Sequence, residues 1–398
     1  MRRALPTVLV SLVLVAAALL AVGGSLSGAP RWVPDGLFYQ ARSLELRGTD
    51  NDVALERTFR GPAGAELRRI DPTRSGDMRW VRYNEQFYER RLTVPAAGAA
   101  LDGVAGERAI LDISLAGYVA AILALFWLLS LRFRLPIAGG VTLGTVFLPA
   151  LTQNAEVPLT DTWGLALETA AFASGILALE RGRRWLIPWT LAILVLSFTR
   201  DSTWVPLLAA AYLALRSRSR VSLALLGTGV AAAIPVVLLF PLPMRPLLAQ
   251  MLNDAHPVAD PTWGSILRQY PGALVDLVRA DGGFVRDGAW YSAAYLAGGL
   301  VLLFALARRA GGPALTLLKA GAAAGVLYVL AVPVFSALRL DLVCVPMAAF
   351  GLGLAAERLA ARLPAKGWAA GLRPVSGASG AMTPGALAGP LATPSDRT

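Results

Sequence analysis

Apolar blocks of about 15–22 residues, separated by short arginine clusters, run through most of this chain. Few structures tolerate such a pattern. Lipid offers the backbone no hydrogen-bond partners, so a run of this length crosses a membrane as a helix. Composition agrees: 56% of residues are hydrophobic and 16% charged, where a soluble domain carries roughly a quarter charged. Mean hydropathy is +0.56. Runs at 4–23, 110–131, 135–152, 162–179, 185–199, 203–215, 221–242, 289–307, 313–336 and 340–357 predict an all-α polytopic membrane protein with about ten transmembrane helices.

The first run is longer than a secretory h-region and lacks an A-x-A site, so it reads as an uncleaved anchor. Four regions follow: a first transmembrane helix (1–23), a large extracytoplasmic loop with interfacial helices (24–109), a multi-helix transmembrane domain (110–363) and a disordered cytoplasmic tail (364–398). Arg2/Arg3, Arg132/Arg134, Arg181/Arg183/Arg184, Arg216/Arg218/Arg220, Arg308/Arg309 and Arg358/Arg362/Lys366 fall on one side. The positive-inside rule then puts both termini in the cytoplasm. Only two of 37 basic residues are lysine. That bias fits a GC-rich bacterial genome and a multi-pass plasma-membrane protein. The runs at 185–199 and 203–215 are short for a bilayer and predict a hairpin whose tip, Thr199 to Ser202, lies below the outer surface.

A net charge of +11 does not mark a nucleic-acid binder here. The arginines sit at helix ends, where anionic lipid explains them. One cysteine, Cys344, and one histidine, His256, exclude an internal disulfide and a histidine- or cysteine-based zinc site. A divalent cation would need carboxylates, hence Mg, Mn or Ca.

The helix interiors are nearly free of charge apart from Glu168 and Lys319, and the remaining charges gather at one mouth. After the first helix, Leu37, Ala41 and Leu44 share one helical face, and Asp35, Tyr39 and Arg42 share the other. This predicts a helix lying on the membrane with a carboxylate at its start. Asp161 opens a later helix beyond Glu156, Arg200 and Asp201 form the hairpin tip, and Arg339 follows the ninth run. Each has a plainer role: a helix cap for Asp35 and Asp161, a local ion pair for Arg200 with Asp201, an interfacial snorkel for Arg339. Their common outer side points instead to a site handling a phosphate and a proton at the bilayer surface.

The order of these pieces resembles the GT-C class of polytopic glycosyltransferases. The resemblance covers roughly 30–360. It rests on the D-x-x-x-Y-x-x-x-x-L helix from Asp35 to Leu44, then Tyr83, Phe87, Tyr88, Arg90, Arg91 and Pro95. Thr160-Asp161, Thr199-Arg200-Asp201, and Arg339 with Pro346 complete it. The chain departs from the class in two ways: Asp35 is not paired with a second acidic residue, as it is in many members, and no large C-terminal extracytoplasmic domain is present.

The resemblance implies a polyprenyl-phosphate sugar donor, with its phosphate near Arg200 and Arg339. A glycan, lipid or protein acceptor would lose its hydroxyl proton to Asp35. Tyr39 and Asp201 would support the site. Asp161 would position the acceptor or hold a divalent cation with Glu156 or Asp35. The rival readings are a non-catalytic scaffold, a lipid or solute transporter, and a lipid-linked polymerase or ligase.

Overall fold

The computed structural model describes residues 4–27, 31–70, 77–253, 256–307, 312–332 and 338–362. Arg2, Arg3, Arg308, Arg309, Lys366 and the tail from 364 lie outside them. The chain divides into Met1–Arg358 and Leu359–Thr398; the described part of the second unit is the end of the last helix. Among the described residues every regular element is helical. The chain is an all-α polytopic membrane protein.

Six helical stretches are long and apolar enough to cross a bilayer, or seven if one bent pair counts as a span. The sequence predicted about ten. All ten apolar runs do contain a helix, but α1 (Ala4–Ala21), α12 (Leu186–Ser197) and α13 (Trp204–Ser217) are shorter or less apolar than a full span. The run at 135–152 is broken at Pro149 into α9 (Leu135–Val146) and α10 (Pro149–Ala155), bent by 64°. Proline has no N–H to continue the ladder, so the helix restarts there in a new direction.

Between α1 and α8 (Ala109–Ser130) come α2 (Gly23–Ser27), α3 (Pro34–Leu46), α4 (Asn51–Arg60), α5 (Pro62–Ile70), α6 (Met78–Glu85) and α7 (Thr93–Ala105). Pro34 starts α3, where a missing N–H costs nothing. Asp50 and Asp77 cap α4 and α6 through backbone N–H groups. The apolar stripe of α3 does not rest on lipid as predicted. Leu37, Phe38, Ala41 and Leu44 pack with Leu55, Phe59, Trp80 and Val81 into a core belonging to the loop itself. Tyr39, on the opposite face, is also buried, among Val94, Ile110, Ile113 and Leu159. The loop therefore holds without a disulfide because α3 is gripped on two sides.

The membrane core centres on α11 (Asp161–Arg181), which packs against α8 and α12. Its first turn is locked to α8: Ser114 Oγ donates to Leu159 O at 2.7 Å, and Thr162 Oγ1 donates to Ser114 O at 2.8 Å. Next come α14 (Arg220–Leu239), α15 (Met244–Met251), α16 (Trp263–Phe284), α17 (Trp290–Leu306), α18 (Pro313–Ala331) and α19 (Val345–Arg362). Where α17 crosses α19 the backbones touch. A Cβ on Gly351 would stand 1.9 Å from Gly299 O. With lipid on all sides, such close van der Waals approach is the main force joining helices.

Candidate functional site

Four separated segments meet beside the start of α3. Asp35 sits in its first turn, but Val33 occupies the N-cap and no side chain caps the helix. The Asp35 carboxylate turns away from its own backbone. Tyr88 Oη donates to Asp35 Oδ1 at 2.7 Å, and Arg339 Nη2 donates to Asp35 Oδ2 at 2.6 Å. Arg339 Nε donates to Asp161 Oδ1 at 2.7 Å, and Arg200 Nη1 lies 2.7 Å from that same oxygen. Asp161 thus anchors two guanidiniums rather than capping its helix, and Arg339 bridges two carboxylates rather than snorkelling.

Local structure fixes these partners. Gly36 lets α3 press against the bend before α11; a Cβ there would stand 2.8 Å from Pro158 O. Leu338 is buried with φ of 60°, a left-handed backbone that a branched side chain rarely adopts. That turn sends Arg339 sideways, ahead of the 3₁₀ turn Leu340–Cys344 that leads into α19. The hairpin tip is shut in, with Thr199 0% and Arg200 7% exposed. Thr199 Oγ1 ties it to Thr93 at 2.8 Å.

Arg200 does not pair with its neighbour Asp201. Asp201 takes Arg90 and Arg91, the latter at 3.0 Å. Arg91 also donates to Tyr39 Oη at 3.0 Å, and its Cζ lies 5.1 Å from the centre of the Tyr88 ring. Tyr39 Oη is 3.2 Å from Thr160 Oγ1. The ion-paired network therefore joins Arg90, Arg91, Arg200 and Arg339 to Asp35, Asp161 and Asp201, leaving one guanidinium in excess.

Above the network opens a cavity of about 870 Å³. Asp35, Tyr88, Arg91, Arg200 and Arg339 face it, while Tyr39, Asp161 and Asp201 sit one layer behind. Glu156 does not join them. It ends α10, reaches neither Asp35 nor Asp161, and does not line the cavity. The far wall comes from α15 and α16, a segment to which the sequence assigned no role. Asn84 and Gln250 hydrogen-bond across it, tying α6 to α15.

Burial alone would raise the pKa of Asp35 and make it a weaker acid. The charges of Arg339 and Arg91 outweigh it, and with the Tyr88 bond they hold the carboxyl well below the usual carboxylate range. Burial, and next the Asp35 charge, push Tyr88 well above its usual value, so its hydroxyl stays a donor. A divalent cation does not fit these donors. Arg200 and Arg339 together already neutralise Asp35 and Asp161, and no group of three acidic, histidine or cysteine side chains suited to a metal occurs among the described residues.

Tyr88 and Arg91 belong to the aromatic, arginine-rich segment that the sequence singled out, but nothing in their spacing assigned them partners. Compared with known proteins, the chain matches no protein-family model and no curated protein.

Proposed function

We propose that the chain is a membrane glycosyltransferase that moves a sugar from a polyprenyl-phosphate carrier to an acceptor hydroxyl on the extracytoplasmic side. The observation that carries this reading is the Arg339 bridge. It joins residues 304 and 178 positions apart at the floor of the cavity. The excess guanidinium suits a singly charged phosphodiester, and arginine matches phosphate oxygens in both charge and geometry. The motif order set out above supplies the reaction class.

In the proposed reaction the acceptor oxygen attacks the anomeric carbon of the donor. The bond from that carbon to the phosphate oxygen breaks, and its electron pair leaves with the carrier phosphate. Asp35 takes the hydroxyl proton, while Arg200 and Arg339 stabilise the charge gathering on the phosphate. Phosphate leaves well without a strong acid. Asp161 and Asp201 hold the arginines in place. Ten crossings, cytoplasmic termini and a bacterial plasma membrane complete the proposal, with acceptors drawn from glycans, lipids or proteins.

The test is transfer from labelled polyprenyl-phosphate mannose, arabinose and glucose in membranes holding the protein. Asp35→Asn is expected to lower turnover by about 10²–10⁴-fold, with the protein still inserted. Wild-type turnover in that variant would overturn the role of Asp35. One observation favours a second reading. Glu168 is fully buried within α11, with Ser202 as its polar neighbour. Intramembrane carboxyls of this kind mark proton-coupled transport. Proton-driven uptake of a lipid or solute that Glu168→Gln stops, without any sugar transfer, would favour transport.

A further inference from the structure

Arg339 serves two partners that the proposed chemistry needs apart. It holds Asp35 at 2.6 Å, and it faces the cavity where a phosphate would bind. A carboxylate fixed by an arginine on one oxygen and a tyrosine on the other is a poor proton acceptor. We propose that an anionic phosphodiester entering the cavity takes over Arg339, and that this hand-over turns Asp35 from a held counter-ion into a working base. The proposal rests on the reading of the cavity as a lipid-phosphate site and adds a control to it: the base becomes active only once the donor is seated.

The charges around Asp35 determine the direction of the effect. Tyr88 and Arg339 touch it, Arg91 stands beside it, and Arg200 and Asp161 lie across the Arg339 guanidinium. Tyr39 follows one turn along α3, and α16 presents Arg268 and Asp276 from the far wall. A phosphate against Arg200 and Arg339 offsets the guanidinium that touches Asp35 and the one beyond it, and brings a negative charge of its own. Both effects raise the proton affinity of Asp35, as its burial already does. The guanidinium keeps its bond to Asp161 through Nε, so only the Nη2 contact has to yield. After transfer the carrier phosphate departs, Arg339 returns to Asp35, and the proton passes to solvent.

The experiment follows protons and needs no turnover. Farnesyl methyl phosphate, a phosphodiester that stays singly charged, is titrated into the full-length protein in nanodiscs. Calorimetry in buffers of different ionisation heat then counts protons taken up per molecule bound. Uptake is expected to grow toward about one proton per site as pH falls from about 6 to about 4, and to vanish in Asp35→Asn, which still binds. Arg339→Gln is expected to bind more weakly and to lose the uptake. Binding with no uptake across this range, or uptake that persists in Asp35→Asn, would overturn the hand-over while leaving an anion site. No binding at any pH would overturn the lipid-phosphate reading as well.

Discussion

Arg339 owes its reach to a strained neighbour. A left-handed non-glycine residue costs on the order of 1–2 kcal/mol, and Leu338 accepts this because the turn delivers a planar guanidinium to two carboxylates at once. Lysine carries the charge but not the fork. Arg339→Lys is therefore expected to keep the fold and lose about 10²–10³-fold in transfer, read from initial rates. Tyr88→Phe keeps the 4.4 Å stack on Phe38 and removes only the hydroxyl. It is expected to weaken control of Asp35 and raise the acid limb of the rate profile. Because the native value of Asp35 is lowered, its contribution to stability is fully present above the unfolded value of about 3.9 and fades as pH falls through the native one. The melting difference between wild type and Asp35→Asn should hold constant from about pH 7 to about pH 5 and close only in stronger acid.

Helices place these side chains through contacts that leave no room for a methyl group. The crossing of α17 with α19 fixes the helix that Arg339 leads into. Gly351→Ala would push the two apart, an overpacking cost of about 1–3 kcal/mol. It should appear as a lower melting temperature in detergent together with weaker phosphodiester binding. The helices themselves were legible in the sequence, since every apolar run contains one. Asp35, Asp161, Arg200 and Arg339 could be picked out as candidates, because each stands at or beyond the end of such a run. Their pairing could not. Asp201 follows Arg200 in the chain yet belongs to Arg90 and Arg91, since the hairpin tip turns the two side chains apart. The face of α3 misled for a related reason: a stripe of Leu37, Ala41 and Leu44 fits a membrane surface and a small protein core equally well.

At the scale of the whole molecule, the proposed orientation makes a direct prediction. Cys344 is buried, so the natural protein should resist thiol reagents and serve as its own background. An impermeant maleimide on intact cells is expected to label Arg279→Cys on the exposed side of α16, and to reach Arg183→Cys only after lysis. Labelling of both from outside would break the proposed topology. The short hairpin has a mechanical consequence as well. In the proposed arrangement α12 and α13, at 12 and 14 residues, reach about 18 and 21 Å against a hydrocarbon layer of about 30 Å. Lipids around them must dimple inward to keep those helices covered. The protein therefore carries its own thin spot, and a long carrier would find its headgroup drawn down to the guanidiniums instead of having to descend alone.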